Sequence, residues 1–226
     1  MIKKTIIFIS FAFHFTGTVL LLKISSTWDS LPALIIYSGI AFILTSLLIL
    51  LYVTMQKKIF FLENESGNDS LTGIPNQKRF RNILYQEIIR AKRYERSLSL
   101  IVFDIDDFKK VNSTFGHQTG DKIIKLTAKL IESQIRGMDL IGRWGGEEFF
   151  LLLPETNRKH GFFVAERIRH IVEVYKIDKQ ISVTMSIGLA EMQKDDTVES
   201  IIERADQAVY RAKAAGKNRV EFAEDL

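Results

Sequence analysis

Two acidic groupings in this sequence have the residue types and spacing for metal-assisted phosphate chemistry. Asp104, Asp106 and Asp107 end the apolar run SLSLIVF, and Glu147 and Glu148 follow Gly145-Gly146. Carboxylates at close quarters repel one another unless a cation lies between them, and an all-oxygen site with one or two carboxylates suits Mg²⁺. Alternation along a strand puts Asp104 and Asp106 on one face, open to solvent or to a metal. The competing reading is that acidic residues gather at strand ends because turns are solvated. Basic residues stand nearby in sequence: Lys109 just beyond the first grouping, and Lys213, Lys217 and Arg219 around Gly216. They can neutralise charge developing on a phosphoryl group, although a basic helix C-terminus is also favoured by the helix dipole.

Other chemistries are excluded or unsupported. The chain has no Cys, which removes disulfides and thiolate-bound metals. No GxxxxGK[ST] loop is present and no GxGxxG follows a strand, so neither a P-loop nor a Rossmann site is expected. None of Ser186, His117 or Asp121 lies on a nucleophile-elbow pattern. The net charge of +4 is too small and too dispersed to argue for nucleic acid.

The elements that must position these residues follow from hydrophobic period and punctuation. Pro75 and Asn76 open an amphipathic helix reaching about Tyr94, and Leu98 to Ile105 is a buried strand with acidic residues at its end. A short helix follows, then a helix from Gly120 to about Gln134. Leu140 to Trp144, Gly145-Gly146 and Phe149 to Leu153 form a β-hairpin, since a Gly pair accepts the positive φ of a tight turn. Helix Gly161 to Tyr175, strand Val183 to Ala190, helix Val198 to Ala214 and a last short strand Val220 to Phe222 complete the order. This predicts an α+β domain, a mixed sheet flanked by helices.

Two uncharged runs precede it: about 5–22, TIIFISFAFHFTGTVLLL, and about 31–55, LPALIIYSGIAFILTSLLILLYVTM. At about 1.5 Å per residue against a hydrocarbon core of about 30 Å, the second spans a bilayer comfortably and the first is near the minimum. Lys3 and Lys4 before the first run and Lys57 and Lys58 after the second place both ends in the cytoplasm. A cleavable signal peptide is the alternative for the first run, though no well-formed cleavage site precedes Trp28; the second run would then stop transfer and leave the C-terminal part inside. The expected division is a membrane anchor with two transmembrane helices over 1–58, a connector over 59–68 and a catalytic domain over 69–226.

The sequence Gly145-Gly146-Glu147-Glu148-Phe149 resembles the signature of the GGDEF family of diguanylate cyclases in its GGEEF form. The rest of the domain agrees in order. Asp69-Ser70-Leu71-Thr72-Gly73-Ile74-Pro75-Asn76 resembles the family's opening DxLTGLPN, and Asp104-Ile105-Asp106-Asp107-Phe108-Lys109 resembles its DIDxFK. Asn112, Gly116-His117 and Gly120-Asp121 fit the following pattern, and Tyr210 to Asn218 fits YxAKxxGRN. Ile74, Gln77 and Lys217 depart from the family's usual Leu, Arg and Arg; at Lys217 this loses a bidentate fork and keeps the charge.

The resemblance implies a palm-like nucleotidyl cyclase fold and condensation of two GTP into cyclic di-GMP with release of two pyrophosphates, at a site shared by a homodimer. It implies Mg²⁺, with Mn²⁺ as the substitute, held by Asp104, the Ile105 carbonyl and Glu147, with Glu148 touching a second ion. Glu147 would help deprotonate the attacking 3′-hydroxyl and Lys109 would be the transition-state cation. Asn112 and Asp121 would read guanine with His117 nearby, and Lys213 and Lys217 would contact phosphates. Arg136 and Asp139, in RxxD spacing with five residues between Asp139 and Gly145, resemble the family's inhibitory site for cyclic di-GMP, with Arg167 as a further part. An Arg and an Asp three apart also make a surface ion pair, the competing reading. The whole would be a multi-pass protein of the inner (cytoplasmic) membrane. The rival is a catalytically silent membrane-bound receptor for cyclic di-GMP, but such decay usually removes the acidic hairpin or Asp104, and both are intact here.

Overall fold

The computed structural model of the chain describes residues 31–177 and 181–224. Helix α1, Leu31–Ser66, contains a stretch, Ile35–Gln56, of 22 residues with mean hydropathy 2.3, long and apolar enough to cross a membrane. Within it Ser38 donates to the Ile35 carbonyl at 2.9 Å, Thr45 to Ala41 at 2.9 Å and Thr54 to Leu51 at 2.8 Å, as suits apolar surroundings. The run predicted at about 5–22 lies outside the described residues. The stretch expected as a connector is helical as far as Ser66, and Gly67, at φ +71, ends it. The chain divides into two compact units between Leu62 and Glu63.

The C-terminal unit is built on a five-stranded mixed sheet in the order β2-β3-β1-β4-β5. The strands are β1 (Leu98–Ile105), β2 (Leu140–Gly145), β3 (Glu148–Pro154), β4 (Met185–Glu191) and β5 (Val220–Phe222). Helices α2 (Gln77–Tyr94), α3 (Phe108–Phe115), α4 (His117–Glu132), α5 (Arg158–Val174) and α6 (Val198–Ala214) flank it. Strand β1 is wholly buried and pairs antiparallel with β3 and β4, so its alternating side chains feed two cores. Ile101, Phe103 and Ile105 pack with Ile123, Ile131, Ala165 and Ile168 of α4 and α5; Leu98, Leu100 and Val102 pack with Phe80, Leu84, Ile201 and Ala205 of α2 and α6. Helix α6 lies directly on β4 because Gly188 has no side chain: a Cβ there would stand 2.1 Å from the Ala205 carbonyl oxygen.

Three element starts differ from the expectation for identifiable reasons. Helix α4 begins at His117 rather than Gly120, because Gly116, at φ +83, ends α3 and lets the chain restart at once. Helix α5 begins at Arg158 rather than Gly161, because the Asn157 side chain accepts the His160 N–H as an N-cap. Strand β4 begins at Met185 rather than Val183, the Thr184 hydroxyl being bonded to Asp106 at 2.6 Å.

Candidate active site

The open end of β1 carries Asp104 opposite Glu148 of β3 and Ser186 of β4. Lys213, in the last turn of α6, sets its Nζ 2.7 Å from Asp104 Oδ2. Burial pushes the Asp104 carboxyl above its ordinary value; Lys213 pulls it down, and the charges of Glu147 and Asp106 push it further up. Glu148 is raised as well, first by burial and then by the charges of Asp104, Asp206 and Glu147, against the pull of Lys213. Asp104, Glu147 and Glu148 thus form an oxygen-rich, mutually repelling group beside one ammonium, a donor set that fits a hard divalent cation. Among the described residues no three Asp, Glu or His side chains stand close enough together to hold a metal ion by themselves. Mg²⁺ commonly completes its shell from carbonyls, water and substrate phosphate.

Asp106 plays a different part. It is buried at 6% exposure and accepts hydrogen bonds from Thr184 Oγ1 at 2.6 Å, Ser186 Oγ at 2.7 Å and the Asn218 N–H at 3.1 Å. The sequence allowed either carboxylate to be open; Asp106 is consumed by hydrogen bonds within the fold, whereas Asp104 is buried and paired with Lys213. Asp107, at φ +54 before α3, meets Lys217 Nζ at 2.7 Å. That hydrogen bond holds Asp107 below its ordinary value and raises Lys217. The expected phosphate contacts Lys213 and Lys217 therefore each stand on a carboxylate. Lys109, in the first turn of α3, is exposed and makes no hydrogen bond or ion pair among the described residues.

The hairpin tip is fixed from behind. Only Gly146, at φ +39, takes the left-handed conformation expected of the Gly pair, with Gly145 remaining in β2. A bulge between Arg143 and Gly145 breaks the register, and Trp144 stacks on Phe150 at 4.2 Å. Arg143 donates from Nε and Nη2 to the Gly146 carbonyl at 3.0 and 2.7 Å and from Nη1 to Asp69 at 3.1 and 3.0 Å. Arg143 belongs to none of the motifs above, although a cation inside a half-buried strand beside Gly-Gly is a usable signal.

A second cluster lies where α3 meets α4. A Cβ at Gly120 would stand 2.0 Å from Asn112 Oδ1, so the missing side chain admits the Asn112 amide. That Oδ1 is buried and accepts no hydrogen bond, a state that costs about 1–3 kcal/mol unless a ligand supplies the donor. Asp121, next to Gly120, and His117 are exposed on α4. An unpartnered acceptor flanked by an exposed carboxylate suits a base that presents N–H donors.

Arg136 and Asp139 form a turn in which Asp139 Oδ2 accepts the Arg136 backbone N–H at 2.9 Å and the Asp139 N–H donates to the Arg136 carbonyl at 3.0 Å. The ion-pair reading is replaced by a backbone cap, and the exposed Arg136 guanidinium makes no bond among the described residues. Arg167 of α5 donates from Nη2 to the Gln134 carbonyl at 2.6 Å, which brings it to the start of this turn.

The family model described as "Diguanylate cyclase, GGDEF domain" matches residues 66–219. The chain is 41% identical over 158 residues to diguanylate cyclase DgcP of Pseudomonas aeruginosa, a match covering 69% of this chain and 24% of that protein. It is 37% identical over 169 residues to diguanylate cyclase DgcM of Escherichia coli, covering 74% and 41%. The chain thus spans between a quarter and two fifths of the length of these relatives. Among solved structures, the GGDEF domain of DgcB from Caulobacter crescentus in complex with c-di-GMP is similar at TM-score 0.68 and 34% identity, covering 71% of this chain and 94% of that one. Diguanylate cyclase SiaD of Pseudomonas aeruginosa, in complex with its activator SiaC, is similar at TM-score 0.67 and 34% identity, covering 98% and 84%.

Proposed function

Because the chain belongs to the GGDEF family of diguanylate cyclase domains, we propose that it condenses two GTP into cyclic di-GMP and two pyrophosphates. The observation that carries this reading is the pairing of Asp104 with Glu148 across β1 and β3, beside Lys213 and next to Glu147. Mg²⁺ or Mn²⁺ would be held by Asp104, the Ile105 carbonyl and Glu147, with Glu148 touching a second ion. Such an ion acidifies the attacking hydroxyl and neutralises charge on the α-phosphate and leaving pyrophosphate.

The chain's own residues do the rest. Asn112 and Asp121 take the N–H donors of guanine, which adenine does not present in that arrangement, and His117 lies beside them. Lys213 and Lys217 exchange Asp104 and Asp107 for phosphate oxygens, and Lys109 offsets the charge that develops in transfer. Glu147 accepts the proton of the 3′-hydroxyl; the 3′-oxygen bonds to the α-phosphorus of the opposing GTP, and the bond from that phosphorus to pyrophosphate breaks. The step occurs twice, once in each direction, which requires a homodimer with one GTP per subunit. Cyclic di-GMP then inhibits through Arg136, Asp139 and Arg167. The apolar stretch of α1, together with the run at about 5–22, anchors the protein in the inner (cytoplasmic) membrane with the catalytic domain on the cytoplasmic side.

The test is incubation of the full chain, in detergent or lipid, with GTP and Mg²⁺, following cyclic di-GMP chromatographically beside Glu147→Gln. Product from the parent and none from the variant is the expected result. A parent without product that still binds cyclic di-GMP, with binding lost in Arg136→Ala, would replace this reading with the receptor.

A further inference from the structure

Three consecutive residues after α6 take positive φ: Gly216 at 110, Lys217 at 66 and Asn218 at 45. L-residues rarely hold that conformation unaided, so a turn containing two of them is held by its contacts. Those contacts converge on Asn218. Its backbone N–H donates to Asp106 Oδ2 at 3.1 Å, its Nδ2 donates to Glu173 Oε1 at 2.8 Å, and its Oδ1 accepts from Arg169 Nη1 at 2.8 Å. Arg169 is itself held by Glu173 at 2.9 Å and by both Glu166 oxygens at 3.2 and 3.1 Å. Asp106 is fastened in turn to Thr184 and Ser186. Two adjacent contacts then run in parallel, Asn218 on Asp106 and Lys217 on Asp107.

We propose that Asn218 is a positioning residue for the cyclase reaction, clamping the left-handed turn that carries Lys217 to the end of β1 on one side and to α5 on the other. The inference rests on the functional reading above and extends it to regulation. Helix α5 reaches the Arg136 turn through Arg167 and the Lys217 turn through Arg169, two residues later and on another side of the helix. A ligand that draws Arg167 away from the Gln134 carbonyl shifts α5, and the shift arrives at Asn218. Product occupancy is thereby passed to the phosphate-binding lysine within one subunit.

Asn218→Gly tests this cleanly, because glycine keeps the left-handed backbone without strain and deletes only the two side-chain bonds. In the full chain with GTP and Mg²⁺, Asn218→Gly is expected to raise KM about tenfold while kcat stays within about twofold. Cyclic di-GMP should still bind as in the parent but inhibit much less. Glu173→Ala, on the surface of α5, should shift KM in the same direction by a smaller factor and covers the case in which Asn218→Gly does not fold. A KM equal to the parent's in both variants, a loss confined to kcat, or undiminished inhibition with parental KM would overturn the proposal. Binding of 3′-deoxy-GTP, which cannot be condensed, separates the two claims. If the parent turns nothing over but binds the analogue about tenfold better than Asn218→Gly, the positioning role stands and the cyclase reading falls. Equal affinities overturn the positioning role alone, and a parent that binds none overturns both.

Discussion

Arg143 grips Asp69 with one nitrogen and the hairpin turn with the other two, so the segment before α2 and the tip bearing Glu147 share a single side chain. Asp69 is tied down further by the Thr72 hydroxyl at 2.6 Å and its N–H at 2.9 Å. Both partners are mostly buried, at 15% and 20% side-chain exposure, so removing one leaves the other poorly solvated.

Arg143→Met should therefore lower unfolding free energy by about 2–3 kcal/mol and reduce turnover at least tenfold, because the turn carrying Glu147 loses its anchor. Urea denaturation and initial rates read the two effects. Asp69→Asn should be milder in both, and the double variant should fall short of additivity by about 1 kcal/mol. Strict additivity would mean that the contact does not couple the two segments.

The empty acceptor of Asn112 should make stability and binding move in opposite directions. Asn112→Ala removes a buried group that has no partner in the free protein, so melting temperature should hold or rise while GTP affinity falls by about 10- to 100-fold. Gly120→Ala should weaken GTP binding by displacing the same amide, because its methyl group would overlap Oδ1. Calorimetric titration beside a thermal melt checks both; equal GTP affinity in the parent and Asn112→Ala would remove Asn112 from the base pocket.

Strand β1, the hairpin, α6 and the two-faced sheet could be read from hydrophobic period because burial imposes that period, and Leu98–Ile105 and Val198–Ala214 are found at their expected bounds. The helix starts were obscured where a side chain or a single glycine decides them, as at Asn157 and Gly116. The carboxylates were visible as a group, but their division of labour was not. Asp106 is separated from Asp104 by Thr184, Ser186 and Asn218, which lie far along the chain and meet it only in three dimensions. The structural parts of Arg143, Arg169 and Asn218, the last visible in sequence only as the end of a motif, rest likewise on distant partners: Asp69, Asn218 and Asp106 are 74, 49 and 112 positions away.

The turn at Arg136 lets the proposed ligand contact be tested apart from the structural one. Arg136→Ala should leave the melting temperature unchanged, since the guanidinium is exposed and its backbone N–H still donates to Asp139. Cyclic di-GMP affinity should drop by at least about tenfold, the worth of a bidentate charge-assisted contact, and inhibition should disappear with it. Asp139→Ala should also deform the turn by losing the cap on the Arg136 N–H. Inhibition of Arg136→Ala at the parental concentration of product would place the inhibitory contact elsewhere.

Acid response carries opposite signs at the Asp104 and Glu148 carboxylates and at Asp69, which lets the site be titrated apart from its support. Asp104 and Glu148 have raised values in the folded protein, so they favour the folded state most when protonated, and that contribution is lost as pH rises through the folded values. Glu148→Gln should thus melt higher than the parent at pH 8, with the gap closing as pH falls into the carboxylate range. Asp69 behaves in reverse. Burial pushes its carboxyl up, but the hydrogen bonds from Thr72 and Arg143 outweigh this and hold it low; its stabilisation is present above the unfolded value and lost as pH falls through the folded one. Asp69→Asn should therefore melt lower than the parent at pH 8 and approach it in acid. Mg²⁺ at ten times its dissociation constant should add about 1.4 kcal/mol to the parent at pH 8, and less once the carboxylates are protonated. A Mg²⁺ effect of equal size in Glu148→Gln and in Asp104→Asn as in the parent would show that the ion binds away from this group.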